Sequence, residues 1–129
     1  MGINGFIAVG AGGAIGCWLR WGLGALLNPV FPTLPMGTLA ANLLGGLLMG
    51  CVMGLFEHFQ TLPPALRLAV LTGFLGGLTT FSTFSAESAT LLLRQQYLWF
   101  SGHVAVHVAG SLGMTLLGIF LTRGLWRHA

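Results

Sequence analysis

Apolar residues run in four long blocks along this chain, and the polar positions inside them fall at helical spacing. A membrane-spanning helix needs roughly 20 mostly apolar residues. The blocks from about Ile3 to Leu27, Gly37 to Phe56, Leu66 to Leu93 and Tyr97 to Thr122 all reach that length. The pieces between the first three contain Asn28-Pro29, Phe31-Pro32 and Pro63-Pro64, which are turn signals. In the first block Gly12 and Gly16 make a GxxxG face for close helix packing. In the second, Thr38, Asn42, Gly46, Gly50 and Gly54 recur every four residues and so line one stripe. The fourth repeats that spacing with His103, His107, Ser111 and Thr115, and adds Gly110 and Gly113 as close-packing positions.

The third block departs from the pattern. Its centre, GFLGGLTTFSTFS from Gly73 to Ser85, sets two adjacent glycines before a run of hydroxyls and two phenylalanines. Gly-Gly followed by Thr-Thr weakens a helix at mid-membrane depth. Non-helical backbone is tolerated there only where protein or a water-filled cavity receives it, and carbonyls exposed at such breaks are where transporters hold ions. The pattern predicts an all-α integral membrane protein, one domain over residues 1–129, with four spans and a break in the third near residues 76–80.

Composition sharpens this picture. Of the 129 residues 55% are hydrophobic and only 5% charged, against about 25% charged in a soluble domain. The N-terminal apolar run lacks a basic leader and a cleavage motif, so it reads as a retained helix. The five arginines do not cluster, which argues against nucleic acid as a partner. Cys17 and Cys51 sit in apolar context without CxxC spacing and read as buried thiols. Threading the four spans puts Arg67, Arg123 and Arg127 on one side, and Arg20 and Arg94 on the other. Arginine asymmetry normally sets orientation. A chain this balanced can insert both ways, and two inverted copies can then pair as an antiparallel homodimer within the lipid bilayer.

Several side chains are candidates for chemistry. Arg20, between Trp18 and Trp21, reads either as an interfacial anchor or as an attractor of anions at a pore mouth. A buried Asn42 is sometimes only interhelical glue, but its amide offers two donors, which an anion needs. Phe81 and Phe84 share a helix face among Ser82, Thr83 and Ser85, and a phenyl ring has a positive edge. Glu87 is the one acid well inside a predicted span. It can carry protons, order the hydroxyl track, or reach water near the helix end. His103 and His107 have the spacing of a metal pair, yet zinc needs three or four ligands and no third lies nearby in sequence, so a polar vestibule is the better reading. Arg123, Trp126, Arg127 and His128 close the chain as an interfacial anchor.

The strings GTLAANLLGG (Gly37–Gly46) and GFLGGLTTFSTFSAE (Gly73–Glu87) resemble those of the small bacterial fluoride channels of the Fluc/CrcB family. The GAxxxxWLRW element (Gly13–Trp21) and AGSLGMT (Ala109–Thr115) are similar too. The resemblance implies a passive fluoride channel of the bacterial inner membrane: an antiparallel, dual-topology homodimer with two pores that lets cytoplasmic fluoride run out. It implies an anion pore built on Phe81, Phe84 and Asn42, with Ser82 and Thr83 in its polar track and Arg20 near its mouth; from the stripes and the lone acid, Thr38, Ser111, His103, His107 and Glu87 are further candidates to line that pore. It further implies a structural Na⁺ on the dimer two-fold axis, held by the backbone carbonyls of Gly76 and Thr79. Relatives have Tyr or Ser where this chain has His103 and His107, so the vestibule here is expected to be pH-sensitive. Two rivals stand beside this reading. A proton-coupled small multidrug-type exporter needs a carboxylate in its first helix, and no acid precedes Glu57. A purely structural assembly subunit leaves Asn42 and the hydroxyl run unexplained. No nucleophile–base pair or phosphate loop supports an enzyme.

Overall fold

A computed structural model describes residues 2–127, so His128 lies outside the described residues. The chain is all-α, with four apolar segments long enough to cross a membrane: Ile3–Val30, Met36–His58, Pro64–Leu93 and Tyr97–Arg127. The first consists of α1 (Ile3–Leu27) and a 3₁₀ turn (Asn28–Val30), the second of α2 (Met36–His58). The third is composite. A short α3 (Pro64–Leu68) passes into a π-helical stretch (Ala69–Leu75) and a last turn α4 (Gly76–Leu78), and after the break α5 (Phe81–Leu93) completes the crossing. The fourth is α6 (Tyr97–Arg127), which runs past Thr122 to the end of the described chain.

Glycines decide which helices meet. A Cβ on Gly12 or Gly16 of α1 would strike the carbonyl oxygens of Ala69 and Phe74, while one on Gly73 or Gly77 would strike the backbone of α1. The GxxxG face is therefore used inside the subunit, against the π-helical stretch. Backbones approach this closely in a membrane because packing and interhelical contacts, not hydrophobic exclusion, hold helices together.

The period-four stripe of α2 divides. Four residues turn a helix by about 400°, so such a stripe drifts about 40° per step. Its glycine half faces α6: Gly50 lies on the Thr115 carbonyl and Gly54 on the Thr122 side chain, while Gly118 of α6 lies on the Leu47 carbonyl. Its polar half, Thr38 and Asn42, faces α5 and the break instead. Gly110 meets Leu43, but Gly113 has nothing within 4 Å, so the second of those two positions does no packing within the subunit. Both cysteines are free; Cys17 is exposed rather than buried, facing a cavity beside Gly77, and Cys51 is half-buried.

Caps tie the ends. Asn28 Oδ1 accepts from the backbone N–H groups of Gly37 (2.8 Å) and Thr38 (3.2 Å), which closes the otherwise open start of α2. At the opposite membrane face Arg123 pairs with Glu57 through two bonds of 2.9 and 3.2 Å, and His58 stacks on Trp126 at 4.1 Å. Much of the outer surface is bare apolar side chain, including Phe6, Trp18, Trp21, Phe81 and Phe120.

Candidate functional site: a helix break bridged by one asparagine

Thr79 and Thr80 leave the helix for extended backbone, at φ −86°, ψ 155° and φ −147°, ψ 120°. Thr80 then caps α5, its Oγ1 accepting from the Thr83 N–H at 3.1 Å, the usual role of threonine at a helix start. Asn42 bridges the gap. Its Oδ1 accepts from the Thr80 N–H (2.8 Å) and its Nδ2 donates to the Thr80 carbonyl (3.0 Å), so one side-chain amide pairs with both backbone groups of one residue as a neighbouring strand would. Gly45, one turn further along α2, leaves the space that the Thr79 methyl fills. Thr80 is not among the site residues expected from sequence, although a threonine after Gly-Gly-Leu-Thr, three residues before another hydroxyl, signals a new helix start.

Arg20 is neither a plain interfacial anchor nor a free charge at a mouth. Its Nε donates to the Gly77 carbonyl at 2.9 Å. It sits seven residues inside the end of α1, about 10 Å at helical rise, and so brings a cation to the carbonyl end of the first half-helix, where the helix dipole favours one. Alongside it a cavity of about 570 Å³ is lined by Cys17, Trp18, Trp21, Thr38, Thr80 and Thr83.

On the other flank of the break lies a groove of about 360 Å³. Asn42, Thr79, Thr80, Phe81, Phe84, His107 and Ser111 are among the residues that line it. Phe84 is 8% exposed, while Phe81 is 76% exposed on the subunit's outer face, and the two rings sit 5.5 Å apart and tilted. Behind Phe84 stand His103 and His107, with ring centroids at 5.4 and 4.8 Å. Ser82 is exposed, 3.4 Å from Thr80 Oγ1, and Thr83 is half-buried at 3.0 Å from the same oxygen. Ser111 stays in the groove wall, its backbone carbonyl accepting from Thr115 Oγ1. Two residues of the expected polar track, Ser82 and Thr83, thus gather at Thr80.

Glu87 lies deeper than a helix-end acid reaching for water. Its Oε1 accepts from Thr38 Oγ1 at 2.6 Å, and its Oε2 lies 3.3 Å from His103 Nε2. The Asn42 Nδ2 also lies 3.1 Å from His107 Nδ1. Folding therefore supplies what the sequence lacked, a third metal-ligand type beside the two histidines: Glu87, His103 and His107 offer atoms all within 4.8 Å of one another.

The carbonyls at the break suit a hard cation. In an unbroken helix the Gly76 carbonyl would accept from the Thr80 N–H and the Thr79 carbonyl from the Thr83 N–H. Those two donors are committed to Asn42 and to the Thr80 side chain. Gly76 is also exposed at the subunit surface. Oxygen donors freed in this way match the ligand preference of a small cation.

A discontinuous span, freed carbonyls and a polar-aromatic groove at its midpoint define a class: a small helical membrane protein built to handle ions within the bilayer. The particular family follows from comparison. The profile described as CrcB-like protein, Camphor Resistance (CrcB), matches residues 7–119, and the chain belongs to that family. It is 58% identical to the fluoride-specific ion channel FluC of Nitrosospira multiformis over 128 residues, covering 99% of this chain and all of that one. It is 60% identical to the protein of the same name from Aromatoleum aromaticum over 113 residues, 88% of this chain and 86% of that one. To the Cupriavidus taiwanensis protein of that name it is 53% identical over 125 residues, 97% and 99% of the two chains. This is a family of channels, not enzymes, and the chain is a multi-pass bacterial membrane protein, its helical spans fitting the inner membrane.

Proposed function

We propose that the chain is a passive fluoride-selective channel that lets cytoplasmic fluoride leave the cell. Two inverted copies form the working unit, an antiparallel homodimer with two pores. The observation that carries this reading is the groove beside the break, where Phe84 and Phe81 stand with polar groups at mid-membrane depth. Fluoride is small and strongly hydrated, so a dry pore must replace water with donors and positive ring edges. A conducting site must also hold the ion weakly enough to release it, which rings and hydroxyls do better than a buried arginine.

Two further features favour an anion here. The N-terminal end of α5 points its positive dipole end at the groove. A Na⁺ held by the Gly76 and Thr79 carbonyls of both copies would place a fixed positive charge beside the pores, in a low-dielectric setting that strengthens its attraction. The exposed Phe81 ring and the exposed Gly76 suit a partner that covers them. The test is efflux from liposomes containing the purified protein and loaded with fluoride or chloride. Rapid fluoride loss after a potassium ionophore, with chloride retained, is the expected outcome. Efflux that demanded a proton gradient, or equal loss of both anions, would refute a passive selective channel.

A further inference from the structure

Three arginines, Arg67, Arg123 and Arg127, collect where α2 and α6 end at one membrane face. Two of them are engaged by the protein itself. Arg67 donates to the carbonyls of Phe59 and Gln60 at 3.1 and 3.3 Å and lies over the Phe56 ring at 4.6 Å. Arg123 commits its Nε and one Nη2 hydrogen to Glu57, which leaves its other N–H donors free. Arg127, one turn further along α6, has no hydrogen-bond or ion-pair partner among the described residues. Together with Gly54, Glu57, His58 and Trp126, the guanidiniums of Arg123 and Arg127 line a cavity of about 300 Å³. Stacked rings fix one of its walls, His58 on Trp126 at 4.1 Å and Phe59 edge-on to the same indole at 5.5 Å.

We infer that this end of the α2–α6 pair seats an anionic phospholipid, its phosphodiester held by Arg127 and Arg123 and a chain laid along α6. The charge matches. Glu57 cancels Arg123, so with His58 neutral the cavity keeps the single positive charge of Arg127, and a phosphodiester carries a single negative one. The donors match as well, since a guanidinium fork meets two phosphate oxygens at once, and basic pockets between membrane helices hold anionic headgroups in this way. Toward the bilayer centre the same face of α6 continues as Leu112, Leu116 and Phe120, all exposed. Spacings of four, four, three and four keep these residues in one stripe with Arg123 and Arg127. From Leu112 to Arg123 the helix rises about 16 Å, close to half of the roughly 30 Å hydrocarbon core. A charged seat above a bare apolar column one leaflet deep fits an amphiphile better than a free anion. The site needs neither the pore nor fluoride, so it stands apart from the channel reading.

The test is native mass spectrometry of the full-length protein in detergent micelles, titrated with phosphatidylglycerol, phosphatidylcholine or glycerol phosphate. Phosphatidylglycerol is expected to saturate at one molecule per subunit and to bind more tightly than the other two. Arg127→Gln should weaken it at least about tenfold, the scale of one lost hydrogen bond to a charged group. Arg127→Lys keeps the charge without the fork and should fall between that variant and the native chain. Arg94→Gln, which removes the same charge at the opposite membrane face, should leave binding unchanged. Equal affinity for phosphatidylcholine, or equal loss in Arg94→Gln, would reduce the effect to general adhesion and overturn the site. Glycerol phosphate binding as tightly as the lipid would make this a site for soluble phosphate instead. A nitroxide on Leu116→Cys, in a background without Cys17 and Cys51, should be open to oxygen dissolved in the bilayer; a label shielded by a second copy would remove the seat for the chain. Fluoride efflux enters none of these readouts, so a failure of the channel reading would leave them standing.

Discussion

Replacing Asn42 by alanine strips partners from both the N–H and the carbonyl of Thr80 at one stroke. Each group left unpaired away from water costs about 1–3 kcal/mol. Asn42→Ala is therefore expected to lower the thermal midpoint of the purified protein well below that of an exposed control such as Gly102→Ala. A midpoint equal to the control's would show that the break needs no brace. Phe84 offers a second prediction at this scale. Its ring joins Phe81, His103 and His107 in one aromatic cluster, so Phe84→Ile keeps bulk but removes the positive ring edge, and fluoride efflux should fall severely. Phe81→Ile should do the same with a smaller effect on subunit stability, because its ring is mostly outside the subunit. Wild-type flux through either variant would remove the aromatic edge from the mechanism. These residues could be singled out in the sequence, since an amide and a phenyl pair stand out in an apolar span. Which groups they touch was not, because Thr80, 38 residues from Asn42, and His107, 65 away, are neighbours only after folding.

Among the helices, close approach does the specifying. A methyl on Gly50 would enter the Thr115 carbonyl of α6, and overpacking of this kind costs about 1–3 kcal/mol or more. Gly50→Ala should therefore reduce the yield of folded protein in gel filtration, whereas Gly113→Ala, which meets nothing within the subunit, should not. Equal yields would mean that α2 and α6 can separate freely. The turn between α5 and α6 holds Gln95 at φ 58°, a left-handed conformation that glycine adopts without the steric cost of a Cβ. Gln95→Gly is expected to be neutral or mildly stabilising, read as an unchanged or raised thermal midpoint. The stripes themselves were visible as period-four spacing, but their partners were not. The GxxxG face of α1 meets a π-helical stretch that no propensity marked, and the stripe of α2 serves two neighbours because of its drift.

For the molecule as a whole, the near-balance of arginines bears on orientation. Tipping it should be decisive if the working unit pairs two inverted copies. Gln60→Arg adds charge at the end that already holds Arg67 and Arg123, and Gln96→Arg adds it at the opposite end, beside Arg94; both positions are exposed. Each variant alone is expected to favour one orientation and lose fluoride efflux, and co-expression of the two should restore it. Full activity of either variant alone would argue against an antiparallel pair. The apolar outer face, with Phe81 76% exposed, would suit either lipid or a second copy, and light scattering on the detergent-solubilised protein measures which holds.

Membrane insertion, four spans and a weak point in the third follow from the chain alone. Each depends on local quantities: the length of an apolar run set against bilayer thickness, and Gly-Gly before Thr-Thr within one turn. The site itself depended on the fold. Asn42 as a bridge, Arg20 on the Gly77 carbonyl, and Glu87 beside two histidines all join groups from different spans, and distances along the sequence carry no information about such meetings. The physical reason is that helix pairing here is settled by where backbones can touch. That is a property of two surfaces fitted together, which neither helix holds by itself.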